Sequence, residues 1–265
     1  MSNDKEASVA VLQTQRDAER GYENFFTQKW EDEYFEHCQQ DLNVDYVYLY
    51  QDYLAKKLLF ARCYPDKTDS EIIDIGSRFE TALFFSHFAN VTYLEARRLP
   101  NGKVHLPHIP TFNYLCGEAQ DIPCADNSYD IVTSLHALEH FGLGRYGDAL
   151  DYYGDQKGLN EFNRILKPGG SLLLSVPVGA SPVLEFNRQR KYTPHVVNTM
   201  LEQSGFKIIK EYYIIPWFEE ENSEGGWSKK AITENAGIFE RVIGHNPKAN
   251  AAYFVMALKT GDEDR

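Results

Sequence analysis

Tyr129-Asp-Ile-Val-Thr-Ser-Leu135-His-Ala-Leu-Glu-His140-Phe-Gly-Leu-Gly-Arg145-Tyr-Gly147 passes from an apolar, β-branched run straight into a crowd of titratable groups. Asp130–Leu135 has the length and composition of a buried strand. His136, Glu139, His140, Arg145 and Tyr146 follow it at once. In an open parallel sheet, ligands sit beyond the carboxyl ends of the strands, so polar groups stacked just past a strand mark the expected site.

Around this stretch lie 265 residues, enough to bury a substantial core, and a hydrophobic content of 43% places the chain among globular proteins. No run of apolar residues is long enough to span a bilayer, and Met1–Gln13 lacks a basic-then-apolar signal pattern. Membrane insertion is not expected; a cytoplasmic location is. Cys38, Cys63, Cys116 and Cys124 form no CxxC pair, which fits reduced thiols and not a disulfide framework or a cysteine zinc site. A formal charge of −12 opposes binding to nucleic acid or an anionic membrane, although Arg188-Gln-Arg190-Lys191 offers a local basic patch for an anionic substrate.

Residues 1–68 are rich in Glu, Gln, Lys, Tyr and Phe, hold one Gly and one Pro, and read as helices broken near Gln40–Val44 and Tyr64-Pro65. They form an N-terminal helical extension, whose aromatic part, Tyr46–Tyr53, would cover the sheet edge or wall the substrate pocket. Strand and helix then alternate across a second region, 69–265. Glu71–Gly76, Val91–Glu95, Phe112–Cys116, Asp130–Leu135 and Ser171–Pro177 read as strands, with helices at Phe79–Phe88 and Asp155–Leu166 between them. Thr193 and Pro194 open a further helix to Leu201, closed by Gly205; Phe206–Ile215 and Ala252–Lys259 are the last strands, with a loop or helical insertion between them. The alternation predicts a doubly wound, mostly parallel α/β sheet with an antiparallel edge.

Gly76 ends the first of these strands, and Glu95 ends the second about 20 residues later, the arrangement that lets a carboxylate accept both hydroxyls of a ribose. Asp74–Glu80 keeps one glycine where a dinucleotide site would want three, so a ligand without a pyrophosphate fits better.

The order Ile72-Ile-Asp-Ile-Gly-Ser77, Tyr93-Leu-Glu95, Gly117–Asp130, Ile131–His140 and Ile165-Leu-Lys-Pro-Gly-Gly-Ser-Leu-Leu-Leu-Ser-Val-Pro177 resembles the class I S-adenosylmethionine-dependent methyltransferases across residues 71–178. Phe141–Asp148 and Leu184–Tyr192 further resemble an uncharacterised subfamily often associated with surface-polysaccharide genes. The resemblance implies a Rossmann-like seven-stranded methyltransferase fold and S-adenosyl-L-methionine as cofactor. It departs in the glycine-poor first motif. Carried over by position, it puts Asp74, Gly76 and Ser77 beside the methionine end of the cofactor, and Glu95, with Ala96 after it, on the ribose. Glu118 and Ala119 would meet the adenine, while Ser134, Leu135 and His136 would pass beneath the methionine moiety.

The implied reaction is O-methylation of a small-molecule or saccharide-type acceptor, phosphorylated or nucleotide-linked forms included. Such a hydroxyl must lose its proton, which suits histidine at neutral pH. His140 is the first candidate base and His136 the second, with Glu139 orienting or charging the imidazole. Arg145, Tyr146, Arg188 and Arg190 are candidate substrate clamps, guanidinium groups being suited to bidentate grip on phosphate or carboxylate. Self-association is left open. Two other readings compete: a catalytically silent member of the fold acting as a binding protein, and a zinc hydrolase, because His136-Ala-Leu-Glu-His140 matches HxxEH. The second conflicts with context, since this copy starts where a strand ends and Gly142 and Gly144 break any helix after it; no metal is therefore expected.

Overall fold

The computed structural model describes residues 46–63, 69–96, 109–186, 188–221, 227–247 and 249–260, together with 27–29 and positions 11, 14 and 15. Thr27–Lys29, expected within a helix, is instead a short strand paired in parallel with Val183–Glu185, while the breaks near Gln40–Val44 and Tyr64-Pro65 lie outside the described residues.

In chain order the elements are β1 (Thr27–Lys29), α1 (Tyr46–Cys63), β2 (Glu71–Ile75), α2 (Phe79–Phe85), β3 (Asn90–Glu95), β4 (Phe112–Cys116), β5 (Tyr129–Leu135), α3 (Gly154–Ile165), β6 (Leu166–Pro177), β7 (Val183–Glu185), β8 (Gln189–Lys191), α4 (Pro194–Gln203), β9 (Phe206–Glu221), β10 (Trp227–Thr233), α5 (Ala236–His245) and β11 (Ala252–Lys259). The main sheet has the order β10-β9-β11-β6-β5-β2-β3-β4. Strands β2 to β6 pair in parallel, while β11 runs antiparallel to both β6 and β9. The sheet therefore has eight strands where seven were expected, because the segment after Ile215 extends β9 and turns back as β10. A separate three-stranded sheet joins β1, β7 and β8.

Strands β5 and β2 are buried along nearly their whole length because helices cover both faces of the sheet. One face meets α3, α4 and α5 through Leu159, Phe162, Met200 and Phe239; the other meets α1 and α2 through Leu54, Leu58, Leu59 and Phe85. Burying Leu54, Leu58 and Leu59 contributes about 1.5–3 kcal/mol each, so α1 is packed into the same core as the sheet. The N-terminus of α4 forms as its sequence dictates. Thr193 accepts a hydrogen bond from the Val196 backbone N–H, and Pro194 occupies the first turn. Among the described residues no helix is long and apolar enough to cross a membrane.

Strand order reverses between β2 and β5: the chain winds from β2 towards β4 on one side and from β5 towards β10 on the other. Loops leaving the two strands diverge there and open a crevice at their carboxyl ends.

Candidate active site

Gly76 leaves β2 with φ +70°, a conformation that costs L side chains energy, and a Cβ there would lie 3.1 Å from the Ala137 Cβ. The turn is held from below by Asp74, which is wholly buried. One Asp74 carboxylate oxygen accepts from the Ser77 N–H at 3.2 Å and the other from the Thr133 hydroxyl at 2.5 Å. Burial pushes the Asp74 carboxyl up to about 7. Ser77 accepts the Leu135 N–H at its hydroxyl, and the Ser134 hydroxyl donates to the Ile75 carbonyl, so these side chains knit β5 to β2.

A cleft of about 600 Å³ opens over this turn. Of the candidate residues, Gly76, Glu95, Ala96, Ala119, His136 and His140 line it, and so does Tyr146. Asp74, Ser77, Ser134 and Leu135 do not line it; they lie beneath, within the strand-to-strand bonding just described. Glu118 is exposed outside the cleft, and the neighbouring Gln120 lines it instead.

His136 adopts φ +55°, unusual for a residue with a side chain, and only Leu138–His140 beyond it forms one turn of 3-10 helix. The two histidines therefore do not sit four apart on an α-helix, which removes the geometry that HxxEH zinc binding requires. Among the described residues no group of three or more His, Cys, Asp or Glu side chains could hold a metal ion.

Each imidazole is tied back by a distant segment. His140 Nδ1 lies 2.6 Å from the Arg188 carbonyl oxygen, so Nδ1–H donates and Nε2 keeps its lone pair. Burial, followed by the nearby Arg145 charge, lowers His140 to about 4. Glu139 moves the other way: burial raises it to about 8, against the pull of Arg145 and Arg190, and its Oε2 has no hydrogen-bond partner. Its Oε1 lies 3.8 Å from His140 Nε2, but at pH 7 both groups are neutral, so this contact is not an ion pair. Burial thus opposes the charged form of both groups, which works against the charging role expected of Glu139 and leaves its orienting role.

Among the expected clamps, Arg190 needs a different role. It is wholly buried, donating to the carbonyls of Phe141 at 2.6 Å, Tyr152 at 2.7 Å and Asp151 at 3.3 Å, with Asp155 at 3.4 Å from its Nε. Its guanidinium holds the 141–152 loop and cannot reach a substrate. That loop also needs Gly142: with φ +72°, a Cβ there would meet the Asp151 carbonyl oxygen at 2.1 Å. Arg188 and Arg145 do not line the cleft: the Arg188 guanidinium pairs with Glu185 at 3.0 Å, and exposed Arg145 donates to the Arg188 carbonyl at 3.0 Å while its guanidinium lies over the Tyr146 ring.

A contributor from α1 was also missed. Gln51 of α1 is wholly buried and its Oε1 lies 2.6 Å from His136 Nδ1. Its signal was readable, because Gln51 is the one polar residue in a stripe of Val47, Leu54, Ala55, Leu58 and Leu59, where an apolar side chain is expected. The Tyr48 ring lies 5.2 Å from that of His136, so α1 meets a residue that lines the cleft as well as covering the sheet.

Residues 118–221 match a family described as Caenorhabditis protein of unknown function, DUF268. The chain is 35% identical to the malonyl-[acyl-carrier protein] O-methyltransferase of Alcanivorax borkumensis over 32% of its own length and 26% of that protein's. It is 33% identical to the demethylmenaquinone methyltransferase of Listeria welshimeri over 52% and 53% of the two chains. It thus spans about a quarter of the first relative and about half of the second. Among solved structures, a candidate methyltransferase of Bacillus halodurans superposes with a TM-score of 0.50 at 16% identity, covering 77% of this chain and 98% of that one. The fold is that of the class I S-adenosylmethionine-dependent methyltransferases. Strand order, the reversal at β2/β5 and the late antiparallel strands all accord with it.

Proposed function

We propose that the chain is an S-adenosylmethionine-dependent methyltransferase that methylates an oxygen of a small-molecule or saccharide-type acceptor. The observation that carries this reading is that Gly76, at positive φ, and the Glu95 carboxylate line one cleft at the reversal of strand order. The lining fits the cofactor: Gly76 presents no side chain, Glu95 offers acceptors for ribose hydroxyls, and Ile75, Leu94 and Ala119 give apolar walls beside Gln120. Asp74, with both oxygens already engaged, serves the turn more than the ligand.

When bound, S-adenosylmethionine supplies a methyl group already activated by its sulfonium. What remains for the protein is placement of the acceptor, which can account for much of the rate. His140 presents a neutral Nε2 to the acceptor hydroxyl throughout the neutral range, and Tyr146 in the cleft, with Arg145 over its ring and Arg188 behind His140, offers contacts for an anionic or hydroxyl-rich group. A saccharide acceptor and a cytoplasmic setting extend the sequence resemblance to polysaccharide-associated proteins. A second reading, a fold member that binds without turnover, is favoured by the low basicity of both imidazoles.

Calorimetry with S-adenosylmethionine tests the reading. The parent should bind, and Glu95→Ala should lose about 2 kcal/mol of affinity through missing charged hydrogen bonds. Unchanged affinity in a folded variant would overturn the assignment. Binding without methyl transfer to any sugar or sugar nucleotide would favour the silent reading.

A further inference from the structure

The bond between Gln51 and His136 crosses from α1 to the end of β5, elements 85 residues apart, and nothing in the methyl-transfer reading requires it. A buried amide inside an apolar stripe costs free energy unless it is satisfied, and here only half of it is: Gln51 Nε2 is buried with no hydrogen-bond partner. His136 is itself held in the left-handed region, where strain of this kind gathers at functional positions.

With the Gln51 amide oriented so that Oε1 faces the ring, the position of the proton follows. Gln51 Oε1 can only accept, so His136 Nδ1 must donate to it. Ser175 Oγ, 3.2 Å from the same nitrogen, then takes the part of acceptor. With Nδ1 turned to Gln51 and Ser175, and the residue lining the cleft, Nε2 is left as a lone pair available to a ligand. His140 is arranged in the same way, its Nδ1 tied to the Arg188 carbonyl. Had the amide been turned over, Nε2 would donate to Nδ1 and the tautomer would be the reverse.

We infer that Gln51 is a positioning residue: by accepting from His136 Nδ1–H it sets the tautomer that makes His136 Nε2 a second acceptor in the cleft, beside that of His140. The group it would receive is an O–H or N–H donor of the methyl acceptor. This rests on the proposed function for its biological meaning, but not for its test.

The test is long-range ¹H–¹⁵N NMR of the full chain at neutral pH, with labelling by diethyl pyrocarbonate, which acylates an unprotonated ring nitrogen. In the parent, His136 should show a protonated Nδ1 and an unprotonated Nε2, and should be labelled. Gln51→Leu completes the apolar stripe and should fold; Ser175 can then donate to Nδ1, so the tautomer should reverse and labelling of His136 should slow about tenfold, in proportion to the lost unprotonated Nε2. Gln51→Glu still accepts from Nδ1–H and should restore the parent pattern, which a merely space-filling role would not do. A protonated Nε2 in the parent, an unlabelled His136, or an unchanged tautomer in Gln51→Leu would each overturn the inference. Neither readout needs the cofactor to bind, so a failure of the methyltransferase reading, seen by calorimetry, is distinguishable from a failure here.

Discussion

On one side of the cleft, Gly76, Glu95 and Ala96 come from the ends of two neighbouring strands, and backbone geometry with one carboxylate is the whole arrangement. On the other side, His136 is held by a side chain 85 residues away and His140 by a carbonyl 48 residues away, with Arg190 beneath bracing the loop that carries Phe141. The first side depends on local chain direction, which strand pairing sets. The second depends on long-range contacts to α1 and to the β7–β8 hairpin, so it should respond to substitutions far from the reacting groups.

The largest effect should come from Arg190. Replacing it by Met strands Asp155 as a buried carboxyl without its counter-charge and takes the guanidinium donor from the Phe141 and Tyr152 carbonyls, while the Asp151 carbonyl keeps the Gly154 N–H. Breaking such a pair costs about 3–5 kcal/mol, a large part of a domain's net stability, and urea unfolding would read it. A variant as stable as the parent, altered only in acceptor binding, would return Arg190 to the clamp role and undo the contrast between the two sides.

Next comes His140→Asn. An acceptor as weakly basic as His140 belongs at the low end of general-base effects, so turnover should fall by about 10²-fold with cofactor affinity retained. Its pH behaviour follows from burial. Below about 6.5 the unfolded chain takes up a proton that the folded His140 resists until about 4, so the stability it contributes is lost as pH falls through that window. The variant should show a shallower decline of stability over the same window in thermal melts, and the parent's rate should show no acid limb near 6.5. A limb there would mean that the imidazole is solvated when it acts.

How much of this was legible in the sequence divides along the same line. The strands β2 to β6, the turn at Gly76 and the acid at Glu95 could be read because apolar runs and chain punctuation are local signals. Strand β10 lies in the segment after Ile215 that read only as a loop or helical insertion, and β7 and β8 are three residues each, too short for any periodicity to show. Arg190 was misjudged for a physical reason: in β8, side chains alternate between faces, so it points inward while Gln189 and Lys191 stay half-exposed, and three adjacent polar residues in sequence are not one patch in space. The positive φ of His136 depends on the tertiary contacts of the loop and left no mark except its position just past a strand.

A smaller effect tests the local side. Gly76→Ala forces a side chain into positive φ and brings a Cβ to 3.1 Å from Ala137, tight but not impassable. The expected cost is about 1–2 kcal/mol in stability, with a comparable loss of cofactor affinity, because the same atoms line the cleft. Lost affinity with unchanged stability would mean that the turn adapts and only the ligand is obstructed; calorimetry and melting together separate the two.

The smallest effect should come from Arg188, where side chain and backbone have separate roles. The carbonyl holds both His140 and Arg145, and no side-chain substitution removes it. The guanidinium meets Glu185 at 3.0 Å, partly exposed, where an ion pair is worth no more than about 1 kcal/mol. Arg188→Met should therefore leave cofactor affinity and kcat near the parent values, whereas KM for an anionic acceptor that supports turnover should rise several-fold if the guanidinium meets it. Should kcat fall as in His140→Asn while KM stays constant, the side chain must be fixing the hairpin that carries the carbonyl, and positioning on this side of the cleft would extend from the backbone of residue 188 to its guanidinium. Should neither constant move, Arg188 belongs to the solvated rim, and Arg145 with Tyr146 is left to meet the acceptor.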